Sequence, residues 1–396
     1  MSTPAAPVGS SAHRVQYLDG IRALAILAVV SVHWVHPYLP FFPGGYIGVD
    51  VFFVLSGFLI TTILWRGTGT GSVPARYGTF LKRRVRRLYP ALLGLLVIAT
   101  LAMTVLNFPQ TAARAAGDGL LASVQAGTFV KGLDLGQMVM FGHTWSLSVE
   151  WIFYLLWPLG LLWARSRGVS AGRLAVIALS VGALLYLAAL PGSGEWFYYG
   201  PLARSGQLLV GCAAALWMLS AKPPKFAVAP WLRTVILLAA LAALLLWVLL
   251  GSQEKQLPYR FIGFPLVTLA STALVVLGSL WQGNRVIGLL GIAPLALLGR
   301  VSYSLYLWHL IPIQLLSKDR IDLPMPVLAL LGVALAVALT ALSYRFLEVP
   351  FLRAPSPRGG ARPSDPAPLT GPAVDARPSA SPTRAGVPVS SDGANG

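Results

Sequence analysis

Apolar residues along this chain gather into runs of about 20, the length a helix needs to cross a hydrocarbon layer roughly 30 Å thick. Ten such runs predict spans near 18–36, 46–65, 88–106, 145–163, 174–190, 201–219, 232–250, 260–280, 300–317 and 325–347. A further apolar stretch, 286–299, precedes the ninth and reads as a half-helix or a re-entrant segment. The pattern predicts an all-α fold: a polytopic membrane helix bundle of about ten transmembrane helices over 17–353. Ahead of it, 1–16 reads as a disordered N-terminal segment. Beyond it, 354–396 is rich in Pro, Ala, Ser and Gly and has no aromatic residue, the composition of a disordered tail that cannot bury enough apolar surface to fold. The longest polar connection, 107–143, is Gly-rich and long enough for a short interfacial helix.

Composition sharpens this picture. The 396 residues are 56% hydrophobic and 11% charged, and the mean hydropathy is +0.70. Soluble domains carry about a quarter charged residues, so the apolar mass faces lipid. The net charge of +17 raises nucleic acid as a partner, but cytoplasmic loops of membrane proteins collect Lys and Arg for topological reasons. Arg66, Arg76, Lys82, Arg83, Arg84, Arg86 and Arg87 all fall between the second and third spans. Placing that connection inside and alternating along ten spans leaves only Arg114, Lys131, Arg204, Lys255, Arg260, Lys318 and Arg320 at the outer side. Both termini are then cytoplasmic, and the charge calls for a lipid bilayer rather than nucleic acid. The single cysteine, Cys212, excludes an intramolecular disulfide and a Cys-based metal cluster, and no metal is expected.

Ionisable groups within spans cost roughly 2.5–3.5 kcal/mol each on insertion scales, so each needs a partner, a cavity or a function. Arg22 and His33 are 11 residues apart, which places them about 20° apart on one helix face and about 16 Å apart along its axis. His33 is a candidate general base, since a neutral imidazole suits proton transfer near neutral pH. Asp50 lies on the face of the second span that also carries Gly57; it is a candidate to orient an imidazole or to sit in interfacial water. Ser56 and Gly57 read first as packing. Arg84 and Arg87 are helix-face neighbours at i and i+3, and paired guanidiniums bind phosphate. Glu150, two turns into the fourth span, has no basic residue near it in sequence and needs a partner on another helix, such as His33. Ser302, Tyr306 and His309 form a polar stripe in the ninth span, while His143 reads as an exposed interfacial residue.

These motifs resemble the integral membrane acyltransferases of acyltransferase family 3. The resemblance runs from Leu18 to about Phe351: Arg22 and His33 with ten residues between, the run 48-GVDVFFVLSGF-58, Arg84 and Arg87 before Pro90, 145-WSLSVE-150, and Tyr303, Ser304, Tyr306 and His309. Two departures are Trp151 and Ile152, which stand where the family commonly has a polar pair, and the tail, which replaces the esterase-like domain of some relatives. The reading is therefore a stand-alone form. The resemblance implies transfer of an acyl group, most often acetyl, from acyl-coenzyme A as donor substrate to a hydroxyl of a carbohydrate, lipid-linked glycan or glycosylated small molecule. Arg84, Arg87 and Arg22 would hold the donor. His33 would act as base or transient acyl carrier, and Glu150 or Asp50 would orient it. Ser56, Tyr306 and His309 would be substrate or oxyanion contacts. The competing class is an exporter or flippase of an acylated or sugar substrate.

Overall fold

The computed structural model describes residues 12–36, 41–67, 71–106, 109–220, 228–316 and 321–352. The predicted tail 354–396 and residues 1–11 of the predicted N-terminal segment lie outside the described residues. Every regular element among the described residues is helical, as expected for a chain whose backbone polar groups must be satisfied within lipid. Helices α1 (Ala12–Trp34), α2 (Gly48–Arg66), α3 (Val73–Val105), α4 (Pro109–Ser123), α5 (Gly127–Gly132), α6 (Trp145–Ser166), α7 (Ala171–Ala189), α8 (Gly194–Tyr199) and α9 (Pro201–Met218) make up the first part. Then come α10 (Pro230–Leu250), α11 (Phe264–Leu280), α12 (Arg285–Leu290), α13 (Ala293–Arg300), α14 (Ser302–Trp308), α15 (Leu310–Leu315), α16 (Met325–Ser343) and α17 (Val349–Leu352). Wider π turns lead into α11 at Tyr259–Gly263 and out of α16 at Tyr344–Glu348.

Eight of the predicted spans are helices long and apolar enough to cross a membrane. The other two differ for physical reasons. The run 201–219 is α9, whose buried Arg204 and Gln207 lower its hydropathy and are satisfied by neighbouring helices rather than by water. The run 300–317 is broken at His309 into α14 and α15. The apolar stretch 286–299 folds as two short helices, α12 and α13, that pack on the first half of α1. The polar connection 107–143 carries α4 and α5.

The third span begins much earlier than hydropathy indicates. At 33 residues, α3 is about 50 Å long, well beyond a 30 Å hydrocarbon layer, and its first half carries the basic run. Along that half Lys82, Arg83 and Arg86 are exposed while Arg84 and Arg87 turn inward and are half-buried.

The centre of the bundle is α2, most of whose residues are buried, whereas the lipid-facing α10 buries Leu237 and Ala240 alone. On one side α2 meets α9 through a reciprocal glycine contact. A Cβ on Gly57 would stand 2.0 Å from the Leu208 carbonyl oxygen, and one on Gly211 would stand 2.2 Å from that of Val54. Small residues let the two backbones touch, which is how helices associate in lipid without a hydrophobic driving force. Against the other faces of α2 lie α1 and α6, so that His33, Ser56 and Glu150 approach a common axis.

Candidate active site

Two cavities lie end to end along that axis. The first, of roughly 150 Å³, is lined by Arg22 of α1, Ser56 of α2, Arg84 and Arg87 of α3, Glu150 and Tyr154 of α6, and Ser302, Tyr303 and Tyr306 of α14. The second, of roughly 310 Å³, is lined by His33, Tyr46, Lys131, Gln137, His143, Trp145, Tyr198, Tyr199, Glu254 and Tyr306. Val49 and Tyr306 line both, so the cavities share a wall. The motif 145–150 straddles this wall: Trp145 faces the second cavity, and Ser146, Leu147 and Glu150 face the first.

Three guanidiniums, from Arg22, Arg84 and Arg87, converge on the first cavity with one carboxylate, Glu150. None of the three has a carboxylate oxygen within 4.0 Å among the described residues. Glu150 is held instead by hydroxyls: Ser56 Oγ donates to Oε1 at 2.8 Å and Tyr154 OH to Oε2 at 2.6 Å. The Arg84 guanidinium rests against the rings of Phe80 and Tyr154, at 5.3 and 5.5 Å from their centroids. The cavity therefore carries surplus positive charge in a half-buried setting, a site built for a multiply charged anion.

Two imidazoles, His33 and His143, line the second cavity, and a third, the buried His309, packs against both. The ring centroid of His309 is 5.1 Å from that of His33 and 5.4 Å from that of His143. Their protonation follows from their partners. His309 Nδ1 is 2.7 Å from the Tyr306 carbonyl oxygen, which can only accept, so Nδ1 carries the proton and Nε2 is a lone pair. His33 Nδ1 faces the Val29 carbonyl oxygen at 2.8 Å and His309 Nε2 at 3.3 Å. Both are acceptors, so His33 carries its proton on Nδ1 and leaves Nε2 bare. His143 Nε2 donates to the Leu307 carbonyl at 3.0 Å, leaving its buried Nδ1 without a hydrogen-bond partner.

The structure brings most of the sequence candidates together but changes the company they keep. Neither carboxylate contacts His33. Asp50 is wholly buried in an ion pair with Arg204, and Tyr259 OH donates to its Oδ2 at 2.7 Å. Glu150 belongs to the arginine cavity. The expectation that one of them orients His33 is corrected by this geometry, since the polar side chain hydrogen-bonded to His33 is His309. Ser56 is committed to Glu150. Tyr306 OH donates to the His143 carbonyl at 2.5 Å and lies 2.7 Å from Ser146 Oγ, which must then be the donor. Its proton is spent inside the wall rather than offered to a substrate. His143, expected at an exposed interface, is buried, because α5 and the turn after it fold back over the start of α6.

Sequence reasoning also passed over Lys131 and Glu254 in the second cavity, and Arg204 and Tyr259 around Asp50. Lys131 Nζ sits 4.2 Å from the Tyr199 ring centroid. Burial pulls its ammonium down to about 8, Lys255 adds repulsion, and Glu254 opposes both. Its sequence signal is a cation beside Gly132 in a Gly-rich stretch that holds one other, Arg114. The partner of Asp50 lies in a different span, where charge alternation places Arg204 at the outer membrane end.

Helices that satisfy their own backbone, an apolar exterior and polar groups gathered on the bundle axis define an integral, multi-pass membrane protein. Residues 15–345 match the family profile described as an acyltransferase domain, and the chain belongs to that family. It is 30% identical over 353 residues to YrhL of Bacillus subtilis (strain 168), provisionally named a peptidoglycan O-acetyltransferase, with 84% of this chain and 54% of the relative covered. It is 29% identical over 360 residues to the O-acetyltransferase OatA of Staphylococcus aureus (strain NCTC 8325 / PS 47), covering 84% and 56%. The chain thus spans about half the length of these curated relatives. No solved structure matches it.

Proposed function

We propose that this protein is a membrane O-acyltransferase that moves an acyl group, acetyl in the first instance, from acyl-coenzyme A to a hydroxyl of a carbohydrate or glycosylated acceptor. The observation that carries this reading is the pair of cavities sharing one wall, one with unpaired guanidiniums and the other with a bare imidazole nitrogen. Arg22, Arg84 and Arg87 hold the phosphates of the donor, and the thioester end extends toward the wall at Val49 and Tyr306. The acceptor occupies the second cavity, where Tyr46, Trp145, Tyr198 and Tyr199 offer ring faces and Gln137 and Glu254 offer polar atoms. The relatives named for O-acetylation, one of them for peptidoglycan, support a glycan acceptor.

In this mechanism His33 Nε2 takes the proton of the acceptor hydroxyl as its oxygen attacks the thioester carbonyl carbon. The new C–O bond forms, the tetrahedral species collapses with cleavage of the C–S bond, and the proton on Nε2 passes to the departing sulfur. The products are the ester and free coenzyme A, with His33 restored. Arg22 at the inner end of the α1 stripe and His33 at its outer end, about 16 Å apart, span the distance between donor phosphates and reacting carbon. With the Arg-rich loops inside, the donor enters from the cytoplasmic side.

Purified full-length protein incubated with radiolabelled acetyl-coenzyme A and glycan fragments tests the reading. Label is expected in the glycan ester, and none is expected with His33→Ala protein that elutes and melts like the wild type. Full transfer by that variant would remove His33 from the reaction. Tight glycan binding with no label transfer by the wild type would favour the transporter class.

A further inference from the structure

The position that a carboxylate fills beside many catalytic histidines is filled here by a second imidazole. His309 is fully buried at the break between α14 and α15, and its main-chain oxygen accepts from Trp34 Nε1 at 2.9 Å. This contact and the bond from its own Nδ1–H to the Tyr306 carbonyl aim Nε2 at His33. The two carboxylates that the sequence offers to orient His33 are engaged elsewhere, Asp50 by Arg204 and Tyr259 and Glu150 by Ser56 and Tyr154.

We propose that His309 is the positioning residue of the transfer reaction, its Nε2 lone pair taking the His33 Nδ1–H so that the base is an imidazole–imidazole dyad with no carboxylate. The inference rests on the proposed function for its consequence and on the hydrogen-bond geometry for its existence. In the resting dyad the Val29 carbonyl at 2.8 Å is the nearer acceptor and His309 the more distant, at 3.3 Å. Once His33 holds a second proton on Nε2, its charge is shared with whatever accepts from Nδ1–H. A carbonyl oxygen offers a fixed dipole, whereas His309 offers a polarisable lone pair backed by its own N–H bond to Tyr306. The contact therefore strengthens as charge develops, which is the behaviour that lowers a barrier rather than improving ground-state binding. His143, with its ring 5.4 Å from His309, packs against the dyad.

Three full-length proteins in detergent decide the matter: the wild type, His309→Leu and His309→Gln. A glutamine amide oxygen reaches nearly the place of His309 Nε2 and accepts a hydrogen bond; leucine fills the volume without accepting. With acetyl-coenzyme A as donor, His309→Leu is expected to lower kcat roughly 10- to 100-fold, the value of one hydrogen bond to a charged group. KM for acetyl-coenzyme A should stay within about twofold, and His309→Gln should recover most of the loss. Leucine with wild-type kcat, or glutamine as impaired as leucine, would overturn the proposal. A second measurement does not depend on activity. The chain has 5 histidines, so 15N-histidine spectra can be resolved residue by residue. His33 protonated on Nδ1, with a signal that shifts in His309→Leu and returns toward the wild type in His309→Gln, supports the dyad even if the wild type transfers no acetyl group. A proton on His33 Nε2 refutes it.

Discussion

Removing the cation from the Asp50–Arg204 pair tests whether Asp50 serves the fold or the reaction. Both side chains are wholly buried. Arg204 donates through Nη1 to Asp50, to Tyr259 OH at 2.8 Å and to Gln207 Oε1 at 3.3 Å, and through Nε to the Tyr198 carbonyl at 2.7 Å. The Tyr198 ring lies 4.4 Å from its guanidinium. These contacts join α2, α8, α9 and the turn before α11 at one point. Arg204→Met leaves the buried Asp50 carboxylate with neutral partners alone, the Tyr259 hydroxyl and Gln207, and breaking a buried pair from one side costs about 3–5 kcal/mol. On the scaling of soluble proteins of this size, about 2 °C per kcal/mol, the melting temperature in detergent should fall roughly 6–10 °C. Asp50→Leu should cost a similar amount by stranding the guanidinium. The double variant Asp50→Leu/Arg204→Met should recover most of the loss, because both charges leave together. Thermal melts followed by size-exclusion chromatography measure this, with acetyl transfer assayed on the folded fraction. If each single variant melts like the wild type while transfer is abolished, Asp50 belongs to the reaction and the structural account fails.

The inward and outward residues of α3 provide a control within one helix. Arg84→Ala and Arg87→Ala should each weaken coenzyme A binding about tenfold by calorimetry, as expected for a lost charge-assisted contact, whereas Arg83→Ala and Arg86→Ala, on the exposed side, should leave it unchanged; equal losses from all four would reduce the run to a topological signal. Lys131 supplies a pH signature, because its ammonium titrates at about 8. It is charged below that value and neutral above it, so KM for the glycan acceptor should rise as pH passes upward through about 8. Lys131→Arg should flatten that rise, since a guanidinium stays charged, and an unchanged pH dependence in the variant would remove Lys131 from acceptor binding.

The elements most legible in the sequence were those whose chemistry is local. Arg22 and His33 share one helix stripe, and so do Arg84 and Arg87; helical periodicity alone orients each pair. Gly57 announced a close helix contact, though not that Gly211 would answer it. Partners on other helices were not legible in the same way. Asp50 reads like a catalytic carboxylate until Arg204, 154 positions away, is folded against it. His309 gave a polar stripe but not its use, because a continuous helix would not have predicted the break that lets α14 and α15 aim its ring. His143 was misplaced because hydropathy locates the end of a span but not the segment that folds back over it. Hydropathy likewise marks only the apolar half of α3, although its basic first half is what presents Arg84 and Arg87.

The Tyr306 wall bears on a matter apart from catalysis. If donor and acceptor reach this wall from opposite sides of the membrane, protons and ions must not follow, or the membrane potential drains. A carrier meets this demand by opening its two gates in turn, with large helix movements. Here the barrier is a phenol pinned by two hydrogen bonds and backed by a valine. Under the proposed function the bilayer stays electrically sealed because only a bond exchange crosses the partition, while neither substrate does.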